Sequence, residues 1–271
     1  MNVHYRKYSP TGNTTVLVTT PVPRALQPEI AAKLLDPGAV GGEQAGFIEP
    51  AGDPRAGARL QMMGGEFCGN ATMSLGAMLA ADAGIEDGGA VDLLIEVSGL
   101  DDPAPCRIRR QGDAWIGTVQ MPLPIRVGRT ALRTDGGAID ASLVELPGIA
   151  HLILPAEAAP GEAELRRRLP EWNRRIGADA LGALVWRAAD SSIDPLVYVP
   201  SAGTLVREHG CGSGTAAVGC ALALAAGRDT KADIRQPGGT ITVCARVRQG
   251  RVCALSITGR VTLEAEGDAE V

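Results

Sequence analysis

Two glycine-rich turns, each carrying one cysteine, constrain the fold of this chain more than any other feature. They read EFCGNAT at 66–72 and HGCGSGT at 209–215. Each runs into an alanine-rich segment of helical length, which predicts helices over about 69–83 and 212–226. Both segments are apolar almost all round, which is typical of a helix buried on every side. Because the same device occurs in both halves of the 271-residue chain, we expect two similar units that face each other.

Apolar runs separated by glycine, proline and asparagine predict strands around each of these helices. A proline pair in MPLP at 121–124 marks the boundary, which gives units of 1–121 and 122–259, one with Cys68 and one with Cys211. Further helices are expected at about 28–35 and 162–176. The expected strands lie at 2–8, 15–20, 45–49, 58–63, 91–97, 106–110, 114–121, near 126, and at 149–154, 183–187, 196–199, 240–248, 251–257 and 260–265. The fold class is therefore α/β (α+β), with strands around one central helix in each half.

Composition and charge exclude several classes of protein. A net charge of -5 without a run of Lys or Arg argues against nucleic-acid binding. The N-terminus lacks the apolar region of a signal peptide, and no apolar stretch is long enough for a membrane, so we expect a soluble cytoplasmic protein. Six cysteines are too few for a disulfide scaffold. With no Cys-x-x-Cys pair and scattered histidines, no metal site is expected.

The two turns suggest a specific chemistry. A helix N-terminus carries partial positive charge and unpaired N–H groups, so it binds carboxylates and lowers the pKa of a cysteine thiol. Two such termini at one cleft would hold an amino-acid carboxylate and place its α-carbon between two sulfurs. One thiolate would remove the α-proton while the other thiol protonates the opposite face. The same donors would stabilise the charge of the enolate-like transition state, so racemisation needs no cofactor.

A lone cysteine at a helix start is more often structural than catalytic, because a free Cys usually packs as a small apolar side chain. We therefore assign Cys106, Cys220, Cys244 and Cys253 to the core, since they lie in strand or helix patterns and not in a glycine-rich turn. Cys68 and Cys211 differ because the same glycine-flanked turn occurs twice at equivalent places.

With these motifs the chain resembles the cofactor-independent racemases and epimerases typified by diaminopimelate epimerase, with proline racemase and the phenazine-biosynthesis isomerases as relatives. The resemblance covers most of the chain. It lies in CGN at 68–70 and CGSGT at 211–215, and more weakly in KYSPTGN at 7–13, GEQ at 42–44 with FIEP at 47–50, and PGIAH at 147–151. It implies two pseudo-symmetric domains, each a curved, mostly antiparallel sheet around a central buried helix. It also implies that a C-terminal strand at 260–267 returns to the first domain.

The resemblance further implies a set of site residues. Cys68 and Cys211 are the expected catalytic pair. The residues expected to bind substrate are Asn13, Gln44, Gly69, Asn70, Glu208, His209, Gly212 and Ser213, with Glu66 as a further candidate. A structural role is the alternative for three of these residues. His209 would then pack within its loop, Glu66 would orient its loop, and Glu208 would cap a backbone group. His151, at the end of PGIAH, is expected to be structural.

Departures from the epimerase pattern bear on the substrate. The Gly-Asn-Pro-His turn of diaminopimelate epimerase appears here as PGIAH without Asn, and 181–183 and 61–66 also lack the expected Asn. His209 stands where that enzyme has the Arg of a Glu-Arg pair. Without these residues the distal amino-acid head of diaminopimelate would have no binding partners. Burying its charge unpaired would cost free energy, which argues against diaminopimelate as the substrate. The pattern is closer to the histidine racemases of opine-metallophore pathways, in which Glu66 and Glu208 would meet an imidazole.

The chain is therefore expected to be a racemase of a small-molecule amino acid, and histidine is the first substrate expected. A homodimer is the expected assembly. Diaminopimelate and proline- or hydroxyproline-type substrates remain alternatives, although proline racemases have His rather than Asn after the first Cys-Gly. A third alternative is a redox protein in which Cys68 and Cys211 form a reversible disulfide.

Overall fold

The computed structural model describes residues 1–271 and contains four α-helices and sixteen strands. The helices are α1 (Gln27–Leu35), α2 (Gly69–Asp82), α3 (Glu162–Ile176) and α4 (Gly212–Ala226), with a short 3-10 helix at Arg24–Leu26. The strands of the first half are β1 (Asn2–Pro10), β2 (Thr15–Val18), β3 (Gln44–Glu49), β4 (Ala58–Met62), β5 (Ala90–Val97), β6 (Ala104–Gln111) and β7 (Ala114–Gln120). The remaining strands are β8 (Arg126–Thr134), β9 (Gly137–Leu146), β10 (Ile149–Pro155), β11 (Leu181–Arg187), β12 (Ser192–Val199), β13 (Thr204–Arg207), β14 (Thr230–Gln236), β15 (Gly239–Arg248) and β16 (Arg251–Glu270).

The chain divides into two compact units, Met1–Gln120 with Thr258–Val271, and Met121–Ile257. In the first unit the strands follow the order β1 to β7 and then β16, and β16 also pairs antiparallel with β1. The sheet therefore closes on itself around α2, which contacts five of its strands. The β2–β3 and β4–β5 pairs are parallel, whereas β1–β2, β3–β4, β5–β6 and β6–β7 are antiparallel.

Glycines allow α2 to approach this sheet. A Cβ at Gly76 would lie 2.9 Å from the Ile108 side chain, and a Cβ at Gly117 would lie 2.9 Å from Met73. Nearly every residue of α2 is buried, as the all-apolar pattern predicted. The outer face of the sheet is covered by α1, whose Ile30, Ala31 and Leu34 join a separate apolar cluster.

The second unit repeats this plan. Its strands follow the order β16, β15, β14, β12, β11, β10, β9 and β8, with β13 added beside β12. The buried helix α4 contacts β9, β10, β14 and β15, and a Cβ at Gly219 would lie 2.4 Å from Val243. The amphipathic helix α3 packs through Leu165, Leu169 and Trp172 on a second cluster. Each unit is thus a mostly antiparallel sheet with one central helix, which confirms the predicted fold class.

The structure corrects the expectation of two separate strands at 251–257 and 260–265. They form the single strand β16, which belongs first to the second unit and then to the first. Gly259 does not interrupt this strand. A Cβ there would lie 2.9 Å from Thr11 Oγ1, so the glycine lets β16 approach Thr11 closely. Strands β9, β13 and β14 were not predicted, because β13 has only four residues and because small, polar and charged residues outnumber large apolar ones in β9 and β14.

The assignment of Cys253 to the core is wrong. It is exposed and alternates with the buried Val252 and the partly buried Ala254, because successive side chains of a strand point to opposite faces. Cys106 and Cys220 are buried, Cys244 is half-buried, and none of the six cysteines forms a disulfide. None of the helices is long and apolar enough to cross a membrane.

Candidate active site

The two predicted cysteines cap the two central helices in the same way. Cys68 is the N-cap of α2, and its Sγ accepts a hydrogen bond from the N–H of Ala71 at 3.4 Å. Cys211 is the N-cap of α4, and its Sγ accepts from the N–H of Gly214 at 3.3 Å. The sulfur thus takes the place of the oxygen of an ordinary N-cap side chain. Each thiol lies at the positive end of a helix dipole.

A threonine four residues after each cysteine completes the match. The Thr72 hydroxyl donates to the Cys68 carbonyl at 2.7 Å, and the Thr215 hydroxyl donates to the Cys211 carbonyl at 2.8 Å. The backbone N–H groups of the same threonines donate to the same carbonyls at 3.0 Å. The two turns seen in the sequence therefore form one structural device, built twice.

In the first unit, a chain of amide side chains leads to Cys68. The Cys68 thiol donates to Gln44 Oε1 at 3.1 Å, and Gln44 Nε2 donates to Asn13 Oδ1 at 2.6 Å and to Thr15 Oγ1 at 2.8 Å. Asn13 Nδ2 then donates to Glu43 Oε2 at 2.7 Å. Because an ionised carboxylate only accepts hydrogen bonds, Glu43 fixes the direction of the whole chain. The Gln44 carbonyl is therefore turned toward sulfur and favours the thiol form of Cys68.

The loop before Cys68 is held by its own contacts. The Ser98 hydroxyl donates to the Glu66 carbonyl at 2.8 Å, and the backbone at Gly99 packs so closely that a Cβ would lie 2.5 Å from the Phe67 nitrogen. The Glu66 carboxylate turns back on its loop and accepts from its own N–H and from that of Gly64, while loss of hydration raises its pKa. This geometry is that of a residue that orients the loop, and contact of Glu66 with substrate stays a prediction.

In the second unit, Gln236 holds the backbone of Cys211. Its Oε1 accepts from the Cys211 N–H at 2.6 Å, and its Nε2 donates to the Thr215 hydroxyl at 2.8 Å. Glu208 lies beside the thiol and accepts its hydrogen bond. Burial raises the pKa of the Cys211 thiol well above its usual range and Glu208 raises it further, whereas Ser213 and the Gly214 N–H lower it. Cys211 is therefore a thiol at neutral pH in this state.

Ser213 connects Cys211 to a buried histidine. Its Oγ lies 3.6 Å from Cys211 Sγ and 2.9 Å from Nε2 of His151. His151 is fully buried, and burial lowers its pKa to about 3. The imidazole is therefore neutral at physiological pH.

The structure thus places the predicted residues in two groups. Asn13, Gln44 and Cys68 are hydrogen-bonded together in the first unit, and Glu208, Ser213 and Cys211 in the second. Gly69, Asn70, Gly212 and Ser213 supply the first turns of α2 and α4. His209 is exposed, and its carbonyl accepts from the Gly238 N–H at 2.8 Å.

Sequence reasoning missed Thr15, Glu43, Ser98 and Gln236. Glu43 directly precedes the predicted Gln44, which was a usable signal. Gln236 is the last residue of β14 and Ser98 directly follows β5, and only the packing of those strands brings them to the cysteine loops. No group of three or more His, Cys, Asp or Glu is arranged to hold a metal.

The chain is similar to known proteins over almost its whole length. A family described as "Histidine racemase CntK N-terminal domain" matches residues 2–270. A histidine racemase of Staphylococcus aureus (strain Mu50) is 30% identical over 275 residues, covering 99% of this chain and 98% of that protein. A histidine racemase of Fusobacterium nucleatum is 26% identical over 239 residues, with 86% of each protein covered.

A solved structure shows the same fold at low sequence identity. The hydroxyproline epimerase of Agrobacterium vitis, crystallised with bound trans-4-hydroxy-L-proline, has a TM-score of 0.73 and 16% identity, with 99% of this chain and 92% of that chain covered. The family match extends over nearly the whole chain and includes both cysteine turns. The chain therefore belongs to the histidine racemase CntK family, and it is an isomerase of the amino-acid racemase class.

Proposed function

We propose that this racemase interconverts L- and D-histidine without a cofactor, with Cys68 and Cys211 as its two acid–base groups. The observation that carries the proposal is the repeated cap, in which each sulfur accepts an N–H from the first turn of a buried helix. Two-base proton transfer needs one acid–base group on each face of the α-carbon, and the fold builds the same capped thiol twice.

The first turns of the two helices suit an amino-acid carboxylate. In each turn the third N–H binds sulfur and the fourth binds the cysteine carbonyl. The N–H groups at the start of an α-helix point out of its N-terminus, and Gly69 and Gly212 are the first residues of the two helices. Donors of this kind hold a carboxylate and stabilise the negative charge that develops on it when the α-proton leaves.

The proton positions follow from the hydrogen bonds. Cys68 donates its proton to the Gln44 carbonyl, so it is set as the group that gives a proton. Cys211 must lose its proton to act as the base, and Glu208 accepts a hydrogen bond from that thiol. Glu208 is therefore positioned to take the proton, after which the Ser213 hydroxyl and the Gly214 N–H stabilise the thiolate. The mechanism requires one α-carbon to reach both sulfurs from opposite sides.

Histidine is favoured over diaminopimelate by the family and by position 182. The epimerase pattern expects an amide side chain near 181–183, but a Cβ at Gly182 would lie 2.3 Å from Nδ1 of His151. Position 182 therefore has no room for the amide side chain that would bind a distal amino-acid head. The family members named above are histidine racemases, and Glu208 beside Cys211 would provide a carboxylate for an imidazole.

Deuterium incorporation tests the proposal. In D2O, the D-histidine first formed from L-histidine should carry deuterium at the α-carbon, while the remaining L-histidine keeps its proton. Cys68→Ser and Cys211→Ser should each lose activity by orders of magnitude, whereas Cys253→Ser, an exposed cysteine, should keep it. Full activity in either serine variant would refute the two-base mechanism, and turnover of proline or diaminopimelate instead of histidine would refute the substrate.

Two controls address the cofactor and the redox alternative. Activity should survive treatment with a chelator and with an agent that removes pyridoxal phosphate, and loss after either treatment would contradict the cofactor-free mechanism. A protein that undergoes reversible thiol oxidation but shows no α-proton exchange would instead support the redox alternative. Cytoplasmic location and a homodimer remain predictions from the sequence.

A further inference from the structure

His151 is a fully buried titratable group that the proposed proton transfer does not use. It lies in β10 with its side chain 0% exposed. Its Nε2 is 2.9 Å from the Ser213 hydroxyl, whereas its Nδ1 has no hydrogen-bond partner. A buried imidazole with one satisfied and one unsatisfied nitrogen needs a physical account.

The neighbouring strand explains why Nδ1 is left without a partner. Gly182 pairs with His151 in the parallel β10–β11 register, and a Cβ at that position would lie 2.3 Å from Nδ1. The ring therefore packs directly over the Cα of Gly182. An N–H at Nδ1 would be a buried donor aimed at C–H bonds, whereas a bare nitrogen can accept a weak contact from them. The packing thus favours the tautomer in which Nδ1 carries no proton.

This tautomer decides how the Ser213 hydroxyl is oriented. A neutral imidazole has one ring proton, which must then sit on Nε2 and point to Ser213 Oγ. Ser213 has a single hydroxyl proton, and its other neighbour is Cys211 Sγ at 3.6 Å. The hydroxyl therefore donates to sulfur. The opposite direction, with Cys211 donating to Ser213 and Ser213 to Nε2, would require the disfavoured proton on Nδ1.

We infer that His151 is a positioning residue for racemisation, whose Nε2–H holds the Ser213 hydroxyl as a hydrogen-bond donor to the Cys211 sulfur. This inference rests on the proposed role of Cys211 and deepens it. A donor aimed at sulfur stabilises the thiolate more than the thiol. A hydrogen bond to a charged group is worth enough to change the thiolate population by about tenfold.

Nuclear magnetic resonance reads the tautomer directly. The chain has only three histidines, so 15N-histidine labelling gives three imidazole spin systems, and His151→Gln identifies one of them. At neutral pH, His151 should show a protonated Nε2 and a bare Nδ1. A protonated Nδ1 would overturn the inference. This readout does not depend on activity.

A double-mutant cycle tests whether His151 acts through Ser213. His151→Leu and Ser213→Ala should each lower kcat about tenfold with little change in KM, because the lost hydrogen bond matters when the thiolate forms. The double variant should be no worse than either single variant. A product of the two separate losses, about a hundredfold, would overturn the inference.

Two further variants separate positioning from folding. His151→Gln keeps a donor near the Nε2 position and should recover most of the activity lost in His151→Leu. If it is as inactive as the leucine variant while both keep the wild-type circular dichroism spectrum, the inference is wrong. His4→Gln is the matched control at a half-exposed histidine that contacts Asp268, and it should keep full activity. Failure of the proposed function would appear separately, as an active Cys211→Ser variant, and would leave the His151 tautomer unchanged.

Discussion

Acid should destabilise this protein through His151 over a defined pH range. Burial lowers the pKa of His151 from 6.5 to about 3, so the unfolded state takes up a proton that the native state refuses. The stability contributed by the neutral imidazole is fully present above pH 6.5 and is lost as the pH falls toward 3. Between pH 7 and pH 5 this single group should remove about 2 kcal/mol from the free energy of unfolding. Over the full shift of its pKa the loss would reach about 5 kcal/mol.

The measurement is urea unfolding at pH 7, 6 and 5 for the wild type and for His151→Gln. Trp172 and Trp186 lie in the same unit as His151 and Trp115 lies in the other unit, so tryptophan fluorescence follows the unfolding of both units. All other titrating groups are shared, so the difference between the two proteins isolates His151. The stability gap should shift by about 2 kcal/mol in favour of the glutamine variant at pH 5. If the difference in free energy of unfolding between the two proteins stays constant from pH 7 to pH 5, the assignment of a buried, neutral His151 is refuted.

Three further substitutions test the packing and the hydrogen bonds of the two cysteine sites. Gly182→Ala should lower the free energy of unfolding in urea by about 1–3 kcal/mol, because its Cβ meets the imidazole of His151. Gly128 has open space around it, so Gly128→Ala should change the free energy of unfolding by less than about 0.5 kcal/mol. Equal losses in the two variants would contradict the close contact at Gly182. Gln236→Leu should cost about 1–3 kcal/mol for each buried group it leaves unsatisfied, and kcat should fall with it; unchanged unfolding would show that the amide does not hold the loop. Gln44→Leu should lower kcat/KM about tenfold, because it removes the hydrogen-bond acceptor of the Cys68 thiol. Wild-type kinetics in this variant would contradict a role for the chain of amide side chains that leads to Cys68.

The central elements were predictable because their signals are local. The two helices were predicted within one residue of their observed ends because glycines flank both segments and neither has a polar face. The cysteines stood out for the same reason, as each sits in a glycine-rich turn at a helix start. The fold class followed from strands placed around these helices.

Other features depended on distant residues. Strand β16 was predicted as two pieces because Gly259 resembles a turn signal, and only the contact with Thr11 shows why glycine is needed within the strand. Cys253 was assigned to the core because it lies in a strand pattern outside the glycine-rich turns, but strand alternation turns it outward. His151 was expected to be structural, and the Ser213 contact that connects it with Cys211 could not be seen in a sequence in which the two residues lie far apart.

The sequence by itself determined the repeated device: a thiol, two backbone donors and a buried helix, encoded within seven residues in each half. Local chemistry suffices there because an N-cap is satisfied by groups three and four residues along the chain. Tertiary structure alone decided what tunes the two thiols. Gln44 and its amide chain face one sulfur, and Glu208, Ser213 and His151 surround the other. Hydrogen-bond direction and burial depend on which strands lie side by side, and no local pattern specifies that.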